Sequence, residues 1–162
     1  MSTEENRAQI QRLYEAFDHG DGDTMAACYS PEARFEDPVF GELTGEQAGA
    51  MWQMFTSSPE SDVRVELPRH DATEDTGTAN WIARYTFAPT GRPVVNDIEA
   101  SFRFGGGRIL EHVDRFSFWT WSRQALGVPG FLLGWTPILR LALRRKARGD
   151  LEKFMRGEPV DL

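Results

Sequence analysis

Two short stretches carry residues that could move a proton. ILEHVDRFSFW (109–119) alternates like a strand, yet its apolar parity, with Leu110, Phe116 and Phe118, also carries His112 and Asp114. FEDPVF (35–40) holds Asp37 between Phe35 and Val39, and Pro38 keeps it extended. An imidazole and two carboxylates beside apolar surface can work as acid and base once environment sets their pKa values apart. The catalytic candidates are therefore Asp37, His112 and Asp114. Each has a plainer reading. His112 and Asp114 could be a closed pair satisfied in the core, since a lone buried charge is costly. Asp37 could be an ordinary Asp-Pro turn residue.

No other chemistry stands out. His19 lies at a helix end and His70 near a strand end, so only His112 looks interior, and no metal site is expected. Gly105-Gly106-Gly107 reads as a hairpin turn with no helix behind it, so no phosphate loop and no cofactor are expected. The lone Cys28 excludes an internal disulfide.

The elements that must position these residues follow from periodicity. Residues 4–18 have helical spacing through Ile10, Leu13, Tyr14 and Phe17. A second short helix, DTMAACY, is expected to be capped by Asp23 or Thr24, and a third opens at Thr44 and Glu46 and carries Trp52 and Phe55. Between the second and third, ARFEDPVFGELTG reads as a short strand, a turn at Pro38 and a loop. After Pro59 come four strand patterns, VRVELPRHDA, TANWIARYTFA, PVVNDIEASFRF and RILEHVDRFSFW. Three helices followed by an antiparallel sheet make an α+β class.

A hairpin symmetric about Gly106 sets Phe102 opposite Leu110, Ala100 opposite His112 and Ile98 opposite Asp114, all on one face. Asp97 with Arg115 and Ser101 with Glu111 make a polar outer face. Parity nominates Tyr14, Phe17, Trp52, Phe55, Trp81, Asn96, Ile98, Phe102 and Phe116 as ligand-binding residues. For each aromatic, core packing is the competing role.

The pattern resembles the nuclear transport factor 2-like superfamily over residues 4–121. The superfamily includes ketosteroid isomerases, limonene epoxide hydrolase and SnoaL-like polyketide cyclases. The resemblance rests on the three N-terminal helices, EDPVFGELTG after a short strand, and a four-strand sheet ending in DRFSFWTW. It implies a cone in which a bent sheet wraps helices around one deep apolar pocket, and a homodimer through the outer sheet face. Asp37 matches the isomerases' general base in its Glu-Asp-Pro-Val context. The isomerases' oxyanion donors do not carry over: their tyrosine falls on Leu13, with Tyr14 one position off, and their protonated aspartate falls on Ala100. The epoxide hydrolase triplet has no clear match, because Arg115 is expected on the outer face.

Two units are expected: a core domain over 1–121 and a helical extension over 122–162 packed on it. The extension's last helix should bury a stripe of Leu139, Leu143, Ala147, Leu151 and Met155. Residues 140–156 hold seven Lys/Arg against two Asp/Glu in a chain of net charge −7. This basic helix reads as a packed helix with a solvated face, as a contact with an acidic partner subunit, or as a weak contact with an anionic membrane. The acidic balance argues against nucleic acid as a partner. FLLGWTPILRLAL (131–143) is too short to span a bilayer. With no apolar run in MSTEENRAQI, a cytoplasmic chain is expected. The functional expectation is a binder of a small apolar molecule that performs acid/base chemistry of cyclase, isomerase or hydratase type. The alternative is a non-catalytic ligand-binding or protein-interaction module of the same fold.

Overall fold

Helix α1 (Thr3–Asp18) starts where Ser2 accepts from the Glu5 amide and Glu5 reaches back to the Ser2 amide at 2.7 Å, in a computed structural model that describes residues 2–160. Its buried stripe is Ile10, Leu13, Tyr14 and Phe17, and His19 ends it with Nδ1 on the Glu15 carbonyl. Helix α2 (Gly22–Ala27) is capped by Asp21, whose Oδ1 accepts from the Thr24 amide at 2.9 Å, and not by Asp23 or Thr24. Tyr29 does not belong to this helix. Pro31 favours extended backbone before it, and Tyr29 opens strand β1 (Tyr29–Asp37). Helix α3 (Gly45–Thr56) begins at Thr44 with a reciprocal capping box to Gln47.

The sheet is larger than the sequence suggests. Strands β2 (Gly41–Thr44), β3 (Arg64–Ala72), β4 (Thr76–Phe87), β5 (Arg92–Gly105) and β6 (Arg108–Arg115) join β1 in the order β2-β1-β6-β5-β4-β3. The expected loop after Pro38 is thus a hairpin, with Gly41 at φ +71° and Asp37 paired with Gly41. All pairs are antiparallel except β1 with β6, which run parallel and set Phe35 beside His112. The inner face of the sheet buries Phe35, Trp81, Ile98, Phe102 and Ile109 in one core with the helices.

The β5–β6 hairpin keeps the expected faces but not the expected register. The turn holds two residues, Gly106 and Gly107, both with positive φ, and Gly105 pairs with Arg108. A bulge follows, so Phe104 pairs with Ile109 and Arg103 with Glu111. The two-residue turn and the extra residue together slide the pairing. Phe102 lies opposite His112, Ala100 opposite Asp114, Ser101 opposite Val113 and Glu99 opposite Arg115. Leu110 is the bulge residue and packs over Gly105, so Ile109 takes the core position expected for Leu110.

Strand β6 stops at Arg115 and does not continue through Trp119. Ser117 accepts from the Thr120 amide and starts helix α4 (Phe118–Leu126), which buries Phe118, Trp121 and Ala125 at helical spacing. In FSFWTWS a cap and a period of 3.6 override an alternating pattern. Helix α5 (Val128–Leu133) and helix α6 (Pro137–Met155) complete the chain. Helix α6 turns Leu139, Leu143, Ala147 and Leu151 inward, but Met155 is exposed and Phe154 takes its place.

One side chain ties α1 to the far sheet edge. Asn6 is fully buried, and its amide donates to the carbonyls of Thr73 (2.8 Å) and Glu74 (2.9 Å) in the β3–β4 turn. Asn6→Leu removes both bonds and is expected to lower unfolding free energy by about 1–3 kcal/mol in urea denaturation. An unchanged midpoint would mean that the turn is held by other contacts.

Candidate functional site

A cavity of about 620 Å³ opens between the inner sheet face, α3 and α6, within the size range of small-molecule sites. The helices contribute Phe17, Trp52, Met54 and Phe55 to its wall, and the sheet contributes Trp81, Tyr85, Asn96 and Ile98. Phe116, just past β6, also lines it, and its carboxylates are Asp37 and Asp114 together with Glu60, Asp62 and Asp150. Tyr14, Phe102 and His112 are buried behind that wall. Tyr14 packs on the back of Trp81 at 5.0 Å between ring centres, and Phe102 covers His112 at 4.4 Å. The amide of Asn96 makes no side-chain hydrogen bond among the described residues, so it is a free polar group facing the cavity.

Behind Asp114 runs a chain of buried hydrogen bonds. Trp52 Nε1 donates to Tyr29 Oη at 2.9 Å, and Tyr29 Oη lies 2.7 Å from His112 Nδ1. His112 Nε2 lies 2.9 Å from Asp114 Oδ1, which also accepts from Trp81 Nε1 at 3.2 Å. The direction of the chain follows from its ends. The carboxylate accepts, so His112 Nε2–H donates to Asp114, and in the tautomer that leaves Nδ1 bare the Tyr29 hydroxyl donates to Nδ1 while its oxygen accepts from the Trp52 indole. This orients the ring and fixes Asp114 in place. Both bonds fall on Oδ1, leaving Oδ2 for the cavity. The two readings of the pair therefore meet in one geometry: His112 is fully enclosed, whereas Asp114 has one face closed and one on the cavity.

Asp37 reaches the same wall through the parallel pairing. Phe35 lies beside His112 and Glu36 beside Val113, so Asp37, one residue on, emerges towards the Asp114 end of β6. The two carboxyls are close enough for the Asp114 charge to act on Asp37. Asp37 is also a turn residue: its Oδ1 accepts from the amides of Val39 (2.9 Å) and Phe40 (2.6 Å). The loop after it is clamped by α6. Arg144 donates to the Val39 and Pro38 carbonyls, and Arg148 to those of Phe40 and Glu42.

Burial pushes the Asp37 carboxyl up to about 7, and the Asp114 charge adds to the rise, while the Phe40 and Val39 amides and Arg144 oppose it. Asp37 thus holds a proton over a pH range in which an ordinary aspartate has lost it. The folded chain then binds this proton more tightly than the unfolded chain does. Stability from this group is full below the unfolded value near 4 and falls as pH rises towards 7. Asp37→Asn keeps the acceptor for both amides and is expected to flatten that slope and raise the melting temperature above pH 7. Thermal melts across this range check it, and an unchanged slope would place the titration elsewhere. Burial likewise raises the Tyr14 and Tyr29 phenols well above the usual range, so both remain neutral.

The SnoaL-like domain model matches residues 10–112, more than half of the chain. The chain belongs to the SnoaL-like domain family. No curated protein matches its sequence. Solved structures match its fold. An LEH-like epoxide hydrolase of M. tuberculosis superposes with a TM-score of 0.65 at 17% identity, covering 81% of this chain and 97% of that one. A provisionally assigned polyketide cyclase of Xanthomonas campestris pv. campestris gives 0.65 at 20% identity, covering 76% and 98%. A protein of Catenulispora acidiphila with a ketosteroid isomerase-like fold, in complex with trimethylamine, gives 0.62 at 20%, covering 80% and 97%. The cone fold implied by the sequence resemblance is therefore the fold of this SnoaL-like chain.

The sequence missed three parts of this SnoaL-like site. The DTMAACY pattern carries Tyr29 into a helix, although Ser30-Pro31 after it marks a helix end. Trp121, on α4, lines the cavity and donates to Tyr85 Oη at 2.7 Å, and nothing local places α4 there. Leu143 and Ala147 bring α6 into the wall, which only the packing of the tail decides. No group of three or more His, Cys, Asp or Glu positioned to hold a metal occurs among the described residues, and none of their helices is long and apolar enough to cross a membrane.

Proposed function

We propose that this SnoaL-like chain binds a small, largely apolar molecule bearing a carbonyl, hydroxyl or epoxide and catalyses proton transfer on it, as a cyclase, isomerase or hydratase. One observation carries the reading: Asp37 and Asp114 share the wall of one cavity but differ in environment. Asp114 is held by two donors and serves as base. Asp37, raised to about 7 by burial, serves as acid. With a carbonyl compound bound, Asp114 takes a proton from the carbon next to the carbonyl. The C–H electron pair becomes the enol double bond, and Asp37 gives its proton to the oxygen. Asn96 donates to the substrate from the sheet side.

His112, Tyr29 and Trp52 are positioning residues that hold Asp114 from behind. The fold likeness to an epoxide hydrolase and a provisionally assigned cyclase is consistent with acid/base work in such a cavity, and the fold by itself does not choose the reaction.

The test is a screen of apolar ketones, hydroxyketones and epoxides. Binding is read by quenching of Trp52 and Trp81 fluorescence, and turnover by NMR. Exchange of substrate C–H for deuterium in D2O, or ring opening of an epoxide, supports the enzyme reading. Tight binding across the panel with neither reaction would leave a ligand-binding module.

A further inference from the structure

The carboxylates of this acidic chain are unevenly spread. Residues 115–149 contain seven Arg/Lys and no Asp or Glu. The same stretch holds most of the exposed large apolar side chains. Phe131, Leu132 and Leu133 lie exposed on α5, Trp135 is 76% exposed in the connection, and Ile138 is 79% exposed in the first turn of α6. Leu141 continues the patch one turn on. Helix α6 is therefore apolar on two sides at its start. Leu139 and Leu143 face the body, whereas Ile138 and Leu141 face outward. Exposed apolar side chains concentrated in one segment in this way mark a contact surface.

The cations around the patch separate into two groups. Arg144 and Arg148 hold the loop after Asp37, and Lys146 pairs with Asp150. Arg123, Arg140 and Arg145 have no carboxylate partner among the described residues. Arg140 lies over the Phe118 ring, beside the patch, and Arg145 follows Ile138 and Leu141 on the outer stripe of α6. Apolar and aromatic side chains rimmed by unpaired arginines match a surface with an apolar interior and anionic headgroups. A second copy fits less well, because an isologous contact would set these carboxylate-free patches, arginines included, against each other.

We propose that α5 and the start of α6 dock on an anionic membrane surface. Phe131, Leu132, Trp135 and Ile138 enter the boundary between headgroups and acyl chains, and Arg140 and Arg145 meet the lipid phosphates. The same helix supplies Leu143 and Ala147 to the cavity wall, so docking places the cavity beside a reservoir of apolar molecules.

The test uses the full chain, vesicles of phosphatidylcholine alone or mixed with phosphatidylglycerol, and sedimentation at low and high salt, with light scattering for mass. The expected result is at least about tenfold more protein on the phosphatidylglycerol vesicles, weakened by salt. Trp135→Ser/Ile138→Ser and Arg140→Glu/Arg145→Glu change exposed residues, and each should lose most of this binding without a change in melting temperature. Absence of vesicle binding, or binding unaffected by both variants, overturns the proposal. So does a dimer in solution that Trp135→Ser/Ile138→Ser converts to monomer, because a second copy would then be the occupant. Vesicle binding is read without turnover, so it stands or falls apart from the acid/base reading.

Discussion

Asp114→Asn is expected to reduce proton transfer to a bound substrate by about a hundredfold or more, the range set by loss of a general base. Ligand affinity should stay within about threefold, because the amide carbonyl still accepts from His112 Nε2 and Trp81 Nε1 and the cavity keeps its shape. Deuterium exchange into the substrate, followed by NMR beside a fluorescence titration, reads the two quantities separately. A parallel fall in binding and exchange would mean that Asp114 mainly shapes the cavity. Retained exchange would move the base to Asp37. The wild-type pH profile adds a second readout. If Asp37 donates the proton, activity declines as pH rises through about 7, where its carboxyl ionises, and Asp37→Asn loses the activity that this limb reports.

His112→Ala is expected to cost about 3–5 kcal/mol of folding stability, because it leaves a carboxylate largely buried without its main partner. His112 is enclosed by Tyr29, Phe35, Trp52 and Phe102, and its two ring nitrogens join a phenol to Asp114. Its removal orphans Tyr29 Oη as a donor, exposes Asp114 to a void and leaves Phe102 unsupported. A double-mutant cycle isolates the ionic part. Asp114→Asn in the His112→Ala background should recover some of the loss, with a coupling of about 0.5–3 kcal/mol. Urea denaturation of the four proteins measures it. A single-variant loss under about 1 kcal/mol would mean that water replaces the imidazole at low cost.

Some of this site was legible along the chain. The parity of HVD relative to Leu110 and Phe116 put His112 and Asp114 inside, and that survived a register error. Beyond the bulge the pairing moves by two residues, so His112 and Asp114 keep their face, whereas next to the turn Ile109 replaces Leu110 inside. The error itself came from Leu110. A bulge depends on cross-strand hydrogen bonding and leaves no local mark. FSFWTWS misled for a related reason: over seven residues, alternation and a capped helix turn look alike. Tyr14 and Phe102 lie on the correct face, yet a face has depth, and both stand behind the residues that meet the cavity.

The sequence by itself determined the α+β class, the starts of α1 and α3, the four long strands and the burial of a His–Asp pair. These depend on side-chain period, capping residues and short turns, all written within a dozen residues. Only the tertiary structure decided that β1 runs parallel to β6, that Tyr29 and Trp52 lock His112 from behind, and that α4 and α6 complete the wall. Those contacts join residues as far apart as Tyr29 and His112, or Pro38 and Arg144. No local pattern encodes such pairings, because they form only when the whole core closes and every buried donor must find an acceptor.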